Sequence, residues 1–481
     1  MNRIVPERGL LIGGEWRPSA SHGTAEIESP FDGHVVGSVP LASAIEVKQA
    51  VDSAAGALLR ERLTPSQRSA ILRRTAERLR ERSDELARLL ALESGKPMRE
   101  ARGEVARSAI VLEESAEESR RISGDMVPVD AVPGSEDRLA FTIRVPKGIV
   151  AAITPFNAPL MSPAHKVGAA IAAGNAVILK PASATPLSAL ELAAELVAAG
   201  LPPDFLQTVV GSGGDVGEAI VDDPRVAMVS FTGSSPVGLR IRQRLGLRHA
   251  TLELGGNAPL LIHEDADVVA GAKAAVAGSF GYAGQVCISV QRILVHKRVR
   301  RAFLDAFLPM VAAMRVGDPL DELTDVGPMI DEQKARDAEA AVRAAISHGA
   351  RSLTELRRAG SLLWPVVIDD ADSHEPVVCQ EVFAPVVSLQ EYSNLDEAIE
   401  IANSTEYGLQ AAIFTSSLST AIDAARRLEF GGVIVNDSSR YRVDRMPYGG
   451  VKASGSGKEG PYYAIREMTD ERLVVLKGRP A

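Results

Sequence analysis

Between residues 148 and 256 the sequence alternates short apolar runs with segments of helical spacing, and this alternation constrains the fold more than any other feature. Strands separated by helices at this rhythm predict a parallel sheet with crossover helices. The predicted strands are 148–157, 176–182, 205–211, 226–234 and 249–256, and the predicted helices are 162–174, 186–200, 215–223 and one ending near 246.

The same pattern restarts after Gly255 and Gly256. Predicted strands lie at 259–263, 291–296, 365–369, 386–392 and 432–437, and predicted helices at 267–281 and 298–314. Before the first strand, residues 44–123 are rich in Ala, Leu, Arg and Glu at helical spacing, with a helix-stop signal at Gly95 and Pro97. We predict an α/β protein with two doubly wound domains that meet near Gly255.

Composition excludes several classes of function. The net charge is −9 and no block of Lys and Arg occurs, so we expect no nucleic-acid partner. No apolar run approaches the roughly 18 residues that would span a membrane, and the first residues lack a signal-peptide core. Two cysteines form neither a disulfide scaffold nor a thiolate metal site. We expect a cytoplasmic protein without a bound metal.

One of these cysteines, Cys287, follows a glycine-rich run in 278-GSFGYAGQVCISVQRILV-295. A free cysteine is more often a small buried hydrophobe than a nucleophile. However, Glu253 in 251-TLELGG-256 and Asn157 in 154-TPFNAP-159 stand at strand ends, where open α/β sheets bind ligands. Together the three residues supply a nucleophile, a base and a donor for an oxyanion.

Two segments are candidates for binding phosphate. The run 211-GSGGDVG-217 is rich in glycine, but its third glycine falls one position late for the G-x-G-x-x-G fingerprint. The run 231-FTGS-234 follows a predicted strand and opens a helix, where free N–H groups attract anions. A serine at a helix start is also typical of a simple N-cap.

Seven motifs recur in the order and spacing of one family: TPFNAP, 180-KPA-182, FTGS, LELGGNAP, GQVCIS, 381-EVFAPVV-387 and 448-YGGVKASG-455. On these motifs the chain resembles the NAD(P)-dependent aldehyde dehydrogenase superfamily, from 12-IGGEW-16 to the last strand. The 34 positions between Glu253 and Cys287 (287 − 253) also match. The resemblance implies NAD or NADP as cofactor and a small-molecule aldehyde as substrate.

The resemblance also implies catalytic roles. Cys287 would attack the aldehyde, while the Asn157 amide and the Cys287 backbone N–H would stabilise the oxyanion. Glu253 would then activate the water that hydrolyses the thioester. Lys166 and Glu459 match a proposed proton relay, although a surface salt bridge would account for them equally well.

By the same resemblance, a larger set of residues contacts the cofactor: Ile153, Thr154, Pro155, Phe156, Lys180, Ser183, Gly213, Gly217, Phe231, Gly233, Ser234, Leu254, Glu381 and Phe383. Many members that prefer NAD have Glu where this chain has Ser183. Because serine does not repel a 2′-phosphate, we expect NADP to be accepted as well as NAD.

The substrate pocket is expected to include Asn157, Met161, His165, Val286, Ile288 and residues of the loop 438–448, among them Arg440, Arg442, Arg445 and Tyr448. Arginines in this loop could bind a carboxylate or phosphonate, or could be solvated or bridge subunits. The loop most resembles the lactaldehyde and phosphonoacetaldehyde dehydrogenase branch. This favours a small polar aldehyde, anionic or hydroxy-substituted.

Other functions stay open at this point. A broad-specificity or a semialdehyde dehydrogenase fits the same motifs. A thiol esterase or hydrolase would need a histidine base, and no histidine lies in a recognisable catalytic motif. A non-catalytic scaffold would not be expected to retain Asn157, Glu253 and Cys287 together.

The resemblance finally implies a domain organisation. Residues 1–124 and 146–254 would form the dinucleotide-binding domain and residues 255–455 the catalytic domain. Residues 125–145 and 456–481 would form a small β oligomerisation domain, with strands in 125–145 and 465–476. Its alternating apolar residues, Leu139 to Val145, would stay unpaired in a monomer. We therefore expect a homodimer, or a tetramer built from dimers.

Overall fold

The computed structural model describes residues 8–20, 23–60 and 62–478 of the chain. The predicted segments 1–124 and 456–481 also include residues that lie outside the described part, namely 1–7, 21–22, 61 and 479–481. The strands are β1 (Leu10–Ile12), β2 (Glu15–Arg17), β3 (Thr24–Glu28), β4 (Val35–Pro40), β5 (Met126–Val127), β6 (Arg138–Pro146), β7 (Ile149–Ile153), β8 (Ala176–Lys180), β9 (Leu206–Thr208), β10 (Val226–Thr232), β11 (His249–Glu253), β12 (Ala258–Ile262), β13 (Val290–His296), β14 (Arg351–Ser352), β15 (Arg358–Ala359), β16 (Leu362–Leu363), β17 (Val366–Asp369), β18 (Val386–Tyr392), β19 (Gln410–Phe414), β20 (Gly432–Val435), β21 (Gly455–Ser456) and β22 (Thr469–Lys477).

The α-helices are α1 (Ala44–Arg60), α2 (Pro65–Glu81), α3 (Ser83–Ser94), α4 (Met98–Ser119), α5 (Met161–Ala173), α6 (Leu187–Ala198), α7 (Glu218–Asp222), α8 (Ser235–Leu245), α9 (Val268–Phe280), α10 (Arg300–Ala312), α11 (Glu332–Ser347), α12 (Pro376–Cys379), α13 (Leu395–Asn403), α14 (Leu418–Arg427) and α15 (Pro461–Glu467). No helix of the described part is both long and apolar enough to cross a bilayer.

The first predicted sheet is confirmed. Its strands run in the order β2-β1-β9-β8-β7-β10-β11-β21, and the five from β9 to β11 pair in parallel. β7 and β8 are buried along their whole length, as expected of central strands covered by helices on both faces. The strands β1, β2 and β21 add antiparallel edges.

The second sheet is confirmed as well. It has the order β14-β17-β18-β13-β12-β19-β20, and all its pairs are parallel except β14 with β17. Its main core combines the strand side chains with Phe280, Phe303 and Phe307, whose rings pack against one another. Two doubly wound layers therefore follow one another along the chain.

The predicted strands are too long at their carboxyl ends. β7 ends at Ile153, β9 at Thr208 and β11 at Glu253, so the residues that follow are loops. The predicted helix at 215–223 begins with a π-helical turn over 213–217 before α7. After β9 and β11 the apolar run continues past the last strand hydrogen bond, because Val209, Val210 and Leu254 also pack in the interior, whereas residues 155–157 after β7 are only partly buried.

A third, antiparallel sheet has the order β22-β6-β5. Its long pair runs in register from Thr469 opposite Pro146 to Lys477 opposite Arg138. The prediction of a strand at 465–476 is wrong at its start, since α15 continues to Glu467 and buries Ile465 in the first core. β22 is an edge strand, and Leu139, Ile143, Leu473 and Val475 are exposed on this sheet.

Candidate active site

A cavity of about 650 Å³ opens at the carboxyl ends of β7, β8 and β10. Every residue predicted to contact the cofactor lines it except Ser183. The lining includes Ile153, Thr154, Pro155, Phe156, Lys180, Gly213, Gly217, Phe231, Gly233, Ser234, Leu254, Glu381 and Phe383. Ser183 lies just beyond this rim, exposed, and its hydroxyl donates to the Gly211 carbonyl at 2.8 Å. We name this space the dinucleotide cavity.

Lys180 is the buried cation of the dinucleotide cavity. Its ammonium donates only to the Pro181 carbonyl, at 3.3 Å, and no carboxylate of the described chain pairs with it. Burial lowers the pKa of Lys180 to about 8. A buried ammonium without a counter-ion is suited to the hydroxyl and phosphate oxygens of a nucleotide.

The start of α8 provides a second anion-binding feature. Ser234 occupies the N-cap position, yet its side chain accepts no capping hydrogen bond, and it is exposed to the cavity. The simple N-cap interpretation therefore does not apply. The free N–H groups of the first turn and the open space beside Gly213 fit a pyrophosphate.

Glu381 lies on the opposite wall, after α12. One carboxylate oxygen accepts the Gly256 N–H at 2.8 Å, and burial raises the pKa of Glu381 to about 7. Phe383 has a left-handed backbone, with φ of 54°, and its ring packs edge-on against Phe156. The residues of the dinucleotide cavity thus fit NAD or NADP in donors, acceptors and shape.

A second cavity, of about 350 Å³, meets the first at Asn157 and Cys287. All residues predicted for the substrate pocket lie around it except Arg445. The lining includes Asn157, Met161, His165, Val286, Ile288, Arg440, Arg442 and Tyr448. We name this space the aldehyde cavity, and Cys287 stands at its junction with the dinucleotide cavity.

Arg445 is the predicted pocket residue that the fold excludes. Its side chain is exposed and bonds to Glu114 on α4. Arg440 instead pairs with Glu100, and Arg442 is buried beside Glu459. The loop turns between Arg442 and Arg445 because the Asp444 carboxylate is held inward by Arg107 and His165.

The backbone before Cys287 is held in a rarely adopted conformation. Tyr282 and Ala283 both have φ of 51°, in the left-handed region. Gly284 follows with φ of 68°, and a Cβ there would overlap the carbonyl oxygen of Ala384. Strain of this kind persists where the surroundings fix it, and it clusters at functional sites.

The Cys287 side chain projects into the aldehyde cavity. Its sulfur lies 2.9 Å from the Tyr448 hydroxyl, and burial raises the pKa of the thiol to about 11 against the opposing effect of this hydrogen bond. The described residues offer no acceptor to the Cys287 backbone N–H. That N–H is therefore available to an oxyanion.

Asn157 is fixed from two directions. Its side-chain amide donates to the Gln285 carbonyl at 2.8 Å, and its own carbonyl accepts from the Lys96 ammonium at 2.9 Å. Lys96 in turn pairs with Glu104 of α4, and Glu104 accepts the N–H groups of Leu160 and Met161. These contacts could not be predicted from the sequence, because α4 resembles an ordinary amphipathic helix.

Glu253 ends β11, and both of its carboxylate oxygens are buried without a hydrogen-bond partner in the described part of the chain. Burial raises the pKa of Glu253 well above its usual range, and the charge of Glu459 raises it further. The group is a poised proton acceptor that ionises only as the pH rises.

Lys166 and Glu459 form a buried ion pair with Nζ 2.7 Å from the carboxylate, so the surface salt bridge considered above is excluded. Lys166 also donates to Ser230 at 3.2 Å, and Glu459 accepts from Arg442. Lys166 lines neither cavity, and the described residues contain no cluster suited to a metal ion.

Comparisons with known proteins agree with this geometry. Residues 16–474 match the model of the aldehyde dehydrogenase family. The chain is 46% identical to 3-sulfolactaldehyde dehydrogenase of Priestia aryabhattai over 98% of both proteins. It is 40% identical to lactaldehyde dehydrogenase of Methanocaldococcus jannaschii, covering 97% of this chain and all of the relative. The structure of glyceraldehyde-3-phosphate dehydrogenase from Methanocaldococcus jannaschii in complex with NADP matches with a TM-score of 0.91 and 40% identity, over 95% of this chain and 100% of that one.

Proposed function

The chain belongs to the aldehyde dehydrogenase family, and we propose that its substrate is a small aldehyde bearing an anionic or hydroxyl group. It is an NAD(P)-dependent aldehyde dehydrogenase, which converts an aldehyde to its carboxylic acid. What remains to be assigned is the kind of aldehyde and the residues that carry each step.

The observation that carries the substrate assignment is the charge around the aldehyde cavity. Its lining contains five cationic side chains, Lys96, Arg99, Arg107, Arg440 and Arg442, and four carboxylates, Glu100, Glu104, Glu253 and Glu459. Arg442 is buried, and its Nε has no hydrogen-bond partner among the described residues. An unpartnered buried donor in a polar cavity favours a ligand that supplies an acceptor.

Three of the compared proteins act, by their names, on aldehydes of this chemistry: 3-sulfolactaldehyde, lactaldehyde and glyceraldehyde 3-phosphate. Two of these carry an anionic group, and all three carry a hydroxyl group. We extend the shared chemistry to this chain, because its own cavity provides the matching cations.

In the first step Cys287 attacks the aldehyde carbon as a thiolate, and a thiohemiacetal oxyanion forms. The Asn157 amide and the free Cys287 N–H are the donors for that oxygen, and one such donor typically contributes about 3 kcal/mol in the transition state. When bound, NAD or NADP accepts the hydride that leaves this carbon. Lys180, Glu381 and the first turn of α8 bind and orient it.

The reaction then leaves a thioester on Cys287. Glu253, once ionised, takes a proton from a water molecule as that water attacks the thioester carbon, and the acid departs as the thiolate reforms. The charges of Lys166 and Glu459, which form an ion pair, act on the Glu253 carboxyl. We assign to this pair the onward movement of the proton that Glu253 accepts.

The domain and assembly assignments complete this proposal. Residues 1–124 and 146–254 would bind the dinucleotide, residues 255–455 would carry the nucleophile, and residues 125–145 and 456–481 would hold subunits together as a dimer or tetramer. Both cysteines are free, as suits a reducing compartment, so we place the protein in the cytoplasm.

The test compares arginines of the same loop. Arg440→Gln should raise KM for 3-sulfolactaldehyde about tenfold and change KM for neutral propanal less than about twofold, since one charge-assisted contact is lost. Arg445→Gln, outside the aldehyde cavity, is the matched control and should leave both values unchanged. Absorbance at 340 nm reports the rate with either cofactor.

Two outcomes would contradict the assignment. Equal kcat/KM for propanal and the anionic aldehydes in the unmodified protein would indicate a broad-specificity enzyme. Turnover that survives in Cys287→Ala would remove Cys287 from the role of nucleophile. Succinate semialdehyde belongs in the same panel, because its preferred oxidation would favour a semialdehyde dehydrogenase.

A further inference from the structure

We propose that Tyr448 is a catalytic residue whose hydroxyl holds the Cys287 sulfur in the aldehyde cavity and donates a hydrogen bond to the thiolate. This inference rests on the proposed function in one respect, namely that Cys287 is the nucleophile. It assigns to Tyr448 a role on the reacting sulfur that is separate from lining the substrate pocket.

The geometry of the contact supports this role. The Tyr448 hydroxyl lies 2.9 Å from the Cys287 sulfur, and its ring packs with Ile288 and Leu409 in a small buried cluster. The Tyr448 backbone is fixed as well, because its N–H donates to the Glu459 carbonyl at 3.2 Å and its carbonyl accepts the Glu459 N–H. The phenol is therefore held rigidly against the thiol.

The direction of the hydrogen bond follows from the charges. A thiolate can only accept, so Tyr448 must donate once Cys287 ionises. Burial raises the pKa of Tyr448 well above its usual range, so the phenol keeps its proton. The Arg442 guanidinium lies 3.7 Å from the centre of the ring, where a cation draws electron density from the ring and makes the hydroxyl a stronger donor.

Because of the charges around it, the Cys287 thiolate needs the hydrogen bond that Tyr448 donates. Two carboxylates, Glu253 and Glu381, lie on the walls around the thiol and oppose a negative sulfur when ionised. The cation that favours the thiolate, Arg442, is itself engaged with Glu459 and with His165, which also contacts Asp444. Among the described residues, Tyr448 makes the one side-chain hydrogen bond to the Cys287 sulfur.

The expected kinetic effect differs from that of an oxyanion donor. As the S–C bond forms, negative charge leaves the sulfur, so the bond to Tyr448 weakens while those from Asn157 and the backbone strengthen. Tyr448 therefore increases the population of the thiolate and slightly lowers its intrinsic reactivity. Loss of the hydroxyl should raise the pKa of the thiol by about one unit.

The test measures alkylation of Cys287 by iodoacetamide from pH 6 to 9, without aldehyde or cofactor, in a Cys379→Ser background that leaves one thiol. Tyr448→Phe should be alkylated about threefold more slowly at each pH, since the thiolate fraction falls about tenfold while each thiolate becomes about threefold more reactive. Tyr392→Phe removes a buried phenol that bonds to the Ile262 carbonyl outside both cavities, and it should match the parent protein.

The sign of the change separates this role from a structural one. If Tyr448 only packs, its loss loosens the site and alkylation stays equal or becomes faster, and either result overturns the proposal. Melting temperatures of both phenylalanine variants equal to that of the parent protein would confirm that the fold is intact. Because the assay needs no dehydrogenase turnover, failure of the proposed substrate class would not alter its outcome.

Discussion

Glu253 combines features that a structural carboxylate lacks. It is buried, neither oxygen has a hydrogen-bond partner in the described chain, and burial raises its pKa well above the usual range. A group selected for stability would normally be paired, because an unpaired buried polar group costs free energy. On the wall of the aldehyde cavity, which Cys287 also lines, the unpaired carboxyl is better explained as a base that accepts a proton from water.

Glu253→Gln should therefore stop turnover after hydride transfer. We expect a burst of reduced cofactor close to one equivalent per active site, followed by turnover about 100-fold slower than in the parent protein or slower still. Stopped-flow absorbance at 340 nm measures both phases. Steady turnover at the parent rate would show that another group activates the water.

The raised pKa of Glu253 also fixes the sign of a pH effect. Only the carboxylate form of Glu253 can accept a proton from water, and this form becomes populated as the pH rises through the raised pKa. Hydrolysis of the thioester in the parent protein should accordingly accelerate from pH 6 to 9, and the same series with Glu253→Gln should lose this dependence.

We predict that Ser183 determines whether the adenosine ribose meets a negative charge. Ser183 is exposed, and its hydroxyl donates to the Gly211 carbonyl. Without a carboxylate at this position nothing there repels a 2′-phosphate, so NADP should be used within about tenfold of NAD in kcat/KM, a difference of about 1.4 kcal/mol. Steady-state kinetics with both cofactors measures the ratio.

The variant Ser183→Glu tests the same point in reverse. A carboxylate can accept hydrogen bonds from two ribose hydroxyls and repels a phosphate, so kcat/KM with NADP should fall while that with NAD stays similar or rises. Equal losses with both cofactors would mean that the substitution disturbs the 211–217 loop rather than discriminating between the cofactors.

At the scale of elements, the strands were predictable and their ends were not. Periodicity indicated β7, β8, β10 and β11 because each is an apolar run bounded by turn residues. Hydrophobicity does not indicate where the last hydrogen bond between strands lies. The predicted strands therefore extended too far and included Asn157 and the residues after Glu253. The site is built from those segments, where the chain leaves the sheet but remains buried.

Helix α4 shows a different limit of sequence reasoning. Its Glu104 caps the start of α5 and pairs with Lys96, which holds the Asn157 carbonyl. Glu104 and the Leu160 N–H that it accepts are 56 positions apart in the chain. The mixed charges of α4 do not indicate such long-range contacts. Cys287, Glu253 and Asn157 could be found from local motifs, whereas the residues that position them required the fold.

At the scale of the whole molecule, both cavities are lined by residues of the two large sheets, their loops and their helices. The third sheet, β22-β6-β5, contributes no residue to either cavity. That sheet has an unpaired edge along β22 and exposes Leu139, Ile143, Leu473 and Val475. Exposed apolar side chains beside a free strand edge usually mark an interface, because an open edge invites pairing with another chain. The expectation of a homo-oligomer therefore stays a prediction with a defined surface.

The double variant Leu473→Lys and Val475→Lys should convert the assembly to smaller species. Two ammonium groups on the edge strand would have to be buried without partners on association, and like charges would face each other across a two-fold interface. Sedimentation velocity at micromolar concentration should show a dimer or tetramer for the parent protein and mainly monomer for the variant. Leu418→Lys is the control, because Leu418 is an even more exposed leucine on α14, outside this sheet, and the variant should sediment like the parent. A parent protein that is monomeric at this concentration would refute the prediction, and an unchanged variant would move the interface to another face.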